Sequence, residues 1–432
     1  MKRLLFLAVT PPLPANNGQR MRIWSLLRAL AAEGHEIHLL TFAQPQELTA
    51  YAEPLAKVCR SVEAVPLTLA SWSASGNYIE RMRGLFLFTP YGVERFRSDI
   101  VANRIAARLG EDFDAVIADS VYTVVNLPDA MQTPLIIDDN NIEHMILRRY
   151  VLQERNPIRR AYGWLEWQKL RRWEKTACAR SALVIVCSEA DRTLMREMCP
   201  AVPTIMAPNI IDVDSYRASP PCDNTTVLYL GSMDWFPNRH AVETFVVEVL
   251  PELRKMVPGV NFVVAYSPER APAEDFRDRF AKIPDVQFVE TSDVRTEVAN
   301  AAVFVVPLHI GSGTRFKILE ASAMAKPIVS TRVGAEGLEF QNGEEILLED
   351  DPKEFARAVT RLLKDPTLRS KLGVGARRRV EQQYDFAMLR TTVGRALARL
   401  DTQGGISQSA GLQKIGLNSP VPLCDSGQGR AL

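Results

Sequence analysis

Gly311-Ser312-Gly313-Thr314-Arg315-Phe316-Lys317-Ile318-Leu319-Glu320 heads the stretch G-S-G-T-R-F-K-I-L-E-A-S-A-M-A-K-P-I-V-S-T, which runs to Thr331. It follows the apolar run Ala302-Val303-Phe304-Val305-Val306-Pro307-Leu308. That run is short and β-branched enough to read as a buried strand, so the stretch is strand, glycine loop, helix. The loop Gly311 to Thr314 lets the backbone turn tightly and approach a ligand, and the helix it opens offers free N–H groups to an anion. Lys317 lies four residues after Gly313, and helical side chains lean back toward the N-terminus, so its ammonium can reach a phosphate held by the loop. Glu320, one turn further on the same face, suits hydrogen bonds from sugar hydroxyls, as an acidic residue serves ribose in dinucleotide folds. Phosphate and ribose together point to a nucleotide. The plainer alternative is an exposed Lys317–Glu320 helical pair worth roughly 0.2–0.5 kcal/mol, with the glycines serving only a turn.

Outward from this element the same theme recurs. Leu4 to Val9 is a buried strand, Thr10 to Arg20 a Pro- and Gly-rich loop ending in Asn16-Asn17-Gly18-Gln19-Arg20, and Met21, Ile23, Trp24, Leu27 and Leu30 have helical period up to Gly34. Ile37 to Phe42 is the next strand. A β-α-β start predicts a parallel sheet with ligand chemistry at the C-terminal ends of its strands. The first loop lacks G-x-G-x-x-G, so it carries no dinucleotide fingerprint. Further strands are read at 115–118, 134–137 and 183–186, the second running into Asp138-Asp139-Asn140-Asn141-Ile142-Glu143-His144. Such polar density at a strand end belongs at a crevice, and His144 there suits a sugar hydroxyl or proton shuttling as well as a simple helix-start hydrogen bond. Arg148 to Arg180, with Trp164, Trp167, Arg171, Arg172 and Trp173, reads as one long surface helix packing its aromatics, with binding at a membrane surface as the alternative.

Pro220, Pro221 and Cys222 break the pattern and mark a hinge. A second α/β unit then begins: strand 227–230, Gly231-Ser232, helix 241–255, and strands 261–265 and 286–289 before the opening element. The expected fold class is α/β, two Rossmann-like parallel-sheet domains facing across a cleft. The domains are set at 1–208 and 225–383 around a linker at 209–224, with a last helix over 384–400 and a tail, 401–432, too rich in Gly, Ser and Gln to hold a fixed structure.

With 432 residues the chain exceeds what one core usually supports. Its 52 basic and 51 acidic residues leave a net charge of +1 and give no general reason to expect nucleic acid. The six cysteines, Cys59, Cys178, Cys187, Cys199, Cys222 and Cys424, lack C-x-x-C or Cys/His ligand spacing, against a zinc site and a disulfide framework, and they suit a reducing compartment. Leu4 to Val9 after Lys2-Arg3 imitates a signal peptide but is short and meets Thr10-Pro11-Pro12 without a cleavage pattern. No run approaches a membrane span, so a cytoplasmic location is expected, with contact at the inner membrane face.

Asn17-Gly18-Gln19-Arg20, Pro208-Asn209, Gly231-Ser232 and G-S-G-T-R-F-K-I-L-E-A together resemble a GT-B glycosyltransferase of the family-4 type, near the bacterial exopolysaccharide and exosortase-associated sugar transferases. The resemblance spans the chain to about Leu400. It implies retaining transfer of a sugar from a nucleotide-diphosphate sugar to a glycan or lipid-linked acceptor in cell-surface polysaccharide synthesis, with no metal and no other cofactor. It assigns the acceptor to the N-terminal domain, the nucleotide sugar to the C-terminal one, and a crossover role to the last helix. Arg315, Lys317 and His144 become the catalytic candidates. Gly231, Ser232, Gly311, Ser312, Gly313, Thr314 and Glu320 become the sugar-nucleotide contacts, and Gly18, Gln19 and Arg20 an acceptor or phosphate loop. One departure is Ser312, which stands where many members carry the first of two glutamates eight positions apart. Another is 233–239, which lacks their basic pair and leaves Arg315 and Lys317 as the diphosphate cations. A nucleotide-sugar epimerase and a non-catalytic nucleotide-binding assembly protein are the competing readings.

Overall fold

The computed structural model describes residues 1–66, 84, 87–220 and 222–403. Seven parallel strands, β1 (Arg3–Ala8), β2 (Glu36–Phe42), β3 (Ser61–Val65), β4 (Ala115–Asp119), β5 (Leu135–Asp139), β6 (Leu183–Val186) and β7 (Thr204–Met206), form a sheet in the order β3-β2-β1-β4-β5-β6-β7. A second parallel sheet has the order β10-β9-β8-β11-β12-β13, from β8 (Thr226–Leu230), β9 (Asn261–Tyr266), β10 (Val286–Glu290), β11 (Val303–Val306), β12 (Ile328–Ser330) and β13 (Leu347–Leu348). Strands β4, β5, β6 and β11 are buried along their whole length, as apolar strands covered on both faces by helices must be. In each sheet the order reverses beside the first strand, at β1/β4 and at β8/β11. These are the points where neighbouring loops diverge and leave a crevice. The expected α/β class with two Rossmann-like domains is what the chain adopts.

Six helices matter for the site: α1 (Gly18–Ala32), α2 (Glu143–Gln153), α3 (Pro157–Ala179), α4 (Phe236–Thr244), α5 (Phe316–Ala323) and α6 (Phe386–Gln403). The single helix expected over Arg148–Arg180 is thus two. Pro157 has no N–H to continue α2, and the Asn156 side chain accepts from Ile158 N and Arg159 N at 3.0 and 3.1 Å, which starts a new helix. The helix expected from Ala241 begins earlier, at Phe236, and passes through a wide π turn, Phe245–Val249, just before Pro251. Proline cannot donate into the ladder, and the wide turn absorbs that gap. Helix α6 returns to the first domain, where Leu389, Val393, Ala396 and Leu397 share a core with Leu26 and Leu30 of α1. It runs to Gln403, and the rest of the expected tail lies outside the described residues. Burying each of Leu389, Val393 and Leu397 contributes roughly 1.5–3 kcal/mol.

Arg22 of α1 is charged yet fully buried. Its Nε and Nη2 bond Asp138 at 3.1 and 2.7 Å, and its Nη1 donates to the carbonyls of Ala207 and Pro208 at 2.8 and 3.0 Å. One guanidinium thereby ties α1 to the end of β5 and to the segment that leaves β7. Breaking a buried pair strands the remaining charge, at a cost of about 3–5 kcal/mol. Arg22→Met is expected to lose stability of that order in urea unfolding. A loss below about 1 kcal/mol would mean that water takes the place of the guanidinium beside Asp138.

Candidate active site

The two points of strand-order reversal face each other, and the loops that leave them meet. After β1, Asn17 caps α1 by accepting from Arg20 N at 3.1 Å, and a Cβ on Gly18 would lie 3.1 Å from the Phe316 ring at the head of α5. After β11, Gly313 has φ +70°, and a Cβ there would come within 2.3 Å of the Asn140 carbonyl across the cleft. Only glycine permits both that conformation and that approach. The Ser312 hydroxyl accepts from Ile142 N at 3.1 Å, and Asn209 Nδ2 donates to Thr314 Oγ1 at 2.8 Å. Arg149 of α2 grips the same loop: it pairs with both oxygens of Glu336 at 2.6 Å and donates to the Gly311 carbonyl. The glycine loop is therefore seated against β5–α2 of the other domain. In that contact the Ser312 hydroxyl serves as an acceptor.

The Arg315 side chain folds back under the loop, donating from Nη1 to the carbonyls of Ser312 and Gly313, the latter at 2.6 Å. It is only 6% exposed, and its Nε and Nη2 have no hydrogen-bond partner among the described residues. Buried donors left unmade are expensive, about 1–3 kcal/mol each, and an anion beside the loop would satisfy them. Burial lowers the pKa of this guanidinium from its ordinary value, with a nearby Arg149 charge acting in the same sense.

Lys317 and Glu320 do not pair with each other. Lys317 Nζ donates to Asn238 Oδ1 at 2.9 Å and to the Tyr229 hydroxyl at 3.0 Å, above the Tyr229 ring at 4.3 Å from its centroid. Glu320 accepts from the Tyr216 hydroxyl at 3.0 Å. Burial, with help from Arg315, pushes the Lys317 ammonium down to about 7. Burial pushes Glu320 up to about 7, against the Tyr216 bond and Lys317. Asn238 ties Lys317 to the loop after β8, because its Nδ2 also donates to the Ser232 carbonyl at 2.9 Å. A Cβ on Gly231 would fall 2.8 Å from the Asn238 amide, so this position has room for hydrogen only.

On the facing domain, Gln19 is a brace: Nε2 donates to Asp119 Oδ1 at 2.6 Å and Oε1 accepts from Asn140 at 3.1 Å. Arg20 points across the cleft to Glu269 at 3.6 Å, and its buried Nε has no partner among the described residues. Burial, then the neighbouring Asp138, raises Asp119 to about 8. His144 is the second residue of α2, and its Nδ1 lies 2.5 Å from Glu174 of α3. Asn238, Tyr229, Tyr216, Arg149, Glu336 and Glu174 were not among the site residues read from the sequence. For Glu174 a signal existed: Gly163, Glu166, Leu170 and Glu174 recur at helical spacing on the buried face of α3.

Residues 16–215 match the profile described as Glycosyltransferase Family 4, and residues 224–365 the one described as Glycosyl transferases group 1. A protein of Klebsiella pneumoniae described as an uncharacterized 44.6 kDa protein in the cps region is 19% identical over 89% of this chain and 97% of its own. Among solved structures, sucrose-phosphate synthase from Thermosynechococcus elongatus superimposes with a TM-score of 0.68 at 17% identity, over 93% of this chain and all of that one. HepE of Anabaena in complex with UDP-glucose gives 0.63 at 15% identity over 92% of this chain and all of its own.

Because Lys317 and Glu320 are both set near 7 with opposite charges, affinity for a nucleoside diphosphate is expected to be bell-shaped in pH. Rising pH discharges Lys317 and weakens the phosphate contact; falling pH neutralises Glu320 and weakens a ribose contact. Calorimetric titration across pH 5.5–9 checks this, and Glu320→Gln should remove the acid limb while leaving the alkaline one. A flat profile would take both groups out of the nucleotide site.

Proposed function

The chain belongs to the group 1, family-4 type glycosyltransferases, and from its site geometry we propose that it moves a sugar from a nucleotide-diphosphate sugar to a glycan or lipid-linked acceptor, with retention at the anomeric carbon. The observation that carries this reading is Arg315: a buried guanidinium at the head of α5, two residues before Lys317, with Nε and Nη2 unmet among the described residues. In the transfer, the bond from the anomeric carbon to the diphosphate breaks and a bond to the acceptor hydroxyl forms on the same face. The acceptor proton passes to the departing phosphate oxygen. The charge gathering on that leaving group calls for cations already in place, usually the largest single catalytic contribution. Arg315, Lys317 and the α5 N–H groups would supply them, which leaves no need for a metal. Glu320 would accept from the ribose hydroxyls, with Gly231 and Ser232 beside the nucleotide. Gly18 and Arg20 would lie near the diphosphate, and His144 near the transferred sugar.

A cell-surface polysaccharide setting is supported by the Klebsiella pneumoniae relative from the cps region. For a lipid-linked acceptor the α2–α3 elbow provides a docking face on an anionic membrane surface. Ile158 and Trp164 are 79% and 52% exposed there. Arg155, Arg159 and Arg160 are exposed next to Ile158 in the chain, and Arg171, Arg172 and Lys175 are exposed further along α3, while both acidic residues of α3, Glu166 and Glu174, are buried. Trp173 packs inward, donating to the Val121 carbonyl at 3.1 Å. Among the described residues no helix is long and apolar enough to cross a membrane.

Titration with UDP, GDP, ADP and dTDP identifies the nucleotide, and the matching nucleotide sugars are then assayed for transfer, with and without a chelator. Lys317→Ala is expected to lower turnover by about 10²–10³, the loss typical of removing one preorganised charge stabiliser. A near-normal rate would remove Lys317 from the diphosphate site. Co-sedimentation with phosphatidylglycerol vesicles should exceed that with phosphatidylcholine and weaken in salt. Ile158→Ser with Trp164→Ser should reduce it several-fold, and equal sedimentation with both lipids would exclude the docking face.

A further inference from the structure

We infer that Glu174 is a positioning residue for His144, holding its ring as the tautomer with hydrogen on Nδ1 so that Nε2 accepts a hydroxyl hydrogen from the sugar. The inference rests on the transfer reading for what meets Nε2, but not for the state of the ring. Helix α2 begins without a side-chain cap of its own, since Ile142 occupies the cap position. Glu174 reaches over from α3 and takes that place: Oε1 accepts from Glu143 N at 2.8 Å and Oε2 from His144 N at 3.2 Å. Oε2 also receives the His144 ring at Nδ1. Glu174 is fully buried, so these three donors are what satisfy its carboxylate, and the ring must present N–H rather than a lone pair to it. The other imidazole nitrogen of a neutral ring is then an acceptor. No hydrogen bond reaches it from the described residues, and the side chain keeps 12% exposure.

The surroundings agree with this assignment of charge. Asp139, at the end of β5, is 1% exposed with neither oxygen hydrogen-bonded among the described residues, and Glu143 bonds the Tyr122 hydroxyl at 3.1 Å. Burial first, and then the Glu174 charge, raises both Asp139 and Glu143, the latter to about 8. Of the three crowded carboxyls, Glu174 is the one whose two oxygens both take N–H donors. With Nδ1–H held by Glu174, Nε2 is the ring nitrogen left to take a hydroxyl hydrogen from a ligand. The substrate class it selects is a sugar with a free hydroxyl at that position.

The first test uses the full-length chain with 15N-labelled histidine, of which there are five. His144→Gln identifies the His144 signals in a long-range 1H–15N correlation. At pH 7.5 the expected pattern is protonated Nδ1 and bare Nε2, shifting toward the Nε2-protonated form in Glu174→Gln. Protonated Nε2 in the unaltered protein would overturn the inference, whether or not the Glu174 variant folds. The second test is a cycle on turnover of the nucleotide sugar chosen by titration. Glu174→Gln should lower kcat about 10–100-fold, as losing an orienting partner does elsewhere, with little change in KM. In the His144→Gln background it should cost less than about 2-fold, because its target is gone. Equal losses in both backgrounds would make Glu174 a purely structural cap. If no nucleotide sugar is turned over, the transfer reading fails, and the tautomer is still decided by the spectrum.

Discussion

The Arg22 guanidinium sits where the first helix, the end of β5 and the exit from β7 converge, sealed from water. A charge in that position is tolerable only with its geometry filled. Burial by itself lowers the pKa of the group, and the Asp138 charge and hydrogen bonds more than offset this, so it is raised. The consequences run in two directions. Toward the N-terminus, the pair fixes the register of α1, and so the position of Asn17 and Gly18 opposite Phe316. Toward the C-terminus, it anchors Ala207 and Pro208, after which Asn209 already touches Thr314 of the other domain. One cation thus ties together segments that lead to both sides of the cleft.

Around this anchor the cleft is held by contacts that are polar and local. Arg149 with Glu336 and the Ser312 hydroxyl with Ile142 N join elements that lie far apart in the chain. Partly exposed ion pairs of this kind hold geometry more than they add stability. Inside, the balance is left incomplete: Arg315 and Arg20 keep buried N–H groups without partners among the described residues, and burial holds the Lys317 ammonium down to about 7. A folded chain retains such costs where a ligand later removes them. The same logic separates the carboxyls of the facing domain, where Asp119, Asp139 and Glu143 are raised and Asp138 and Glu174 receive donors.

Much of this was legible along the chain. Short apolar runs are local signals, three of them (4–9, 227–230 and 302–308) followed by a glycine-bearing loop and a helical period, and they yield most of both parallel sheets and the crevices at their strand ends. The family-4 likeness rested on the same loops. The helix breaks were less visible. Pro157 and Pro251 were there to be read, but the wide Phe245–Val249 turn depends on packing against the sheet. The surface reading of Arg148–Arg180 overlooked two glutamates at the spacing of its apolar face, since charge is ordinarily a mark of exposure.

What the sequence by itself determined is the α/β class, the doubled architecture and the glycine loop opening onto Arg315, Lys317 and Glu320, because strand, turn and helix preferences act over a few residues. What only the tertiary structure decided is who partners whom. Lys317 and Glu320, one helical turn apart, ignore each other for Asn238 and Tyr216; Gln19 braces strand ends; Ser312 accepts from Ile142; Glu174 meets His144 from thirty residues away. A hydrogen bond has a reach of about 3 Å and no memory of sequence separation. Its partner is set by which buried groups the fold brings together, and that is known only once both sheets are packed.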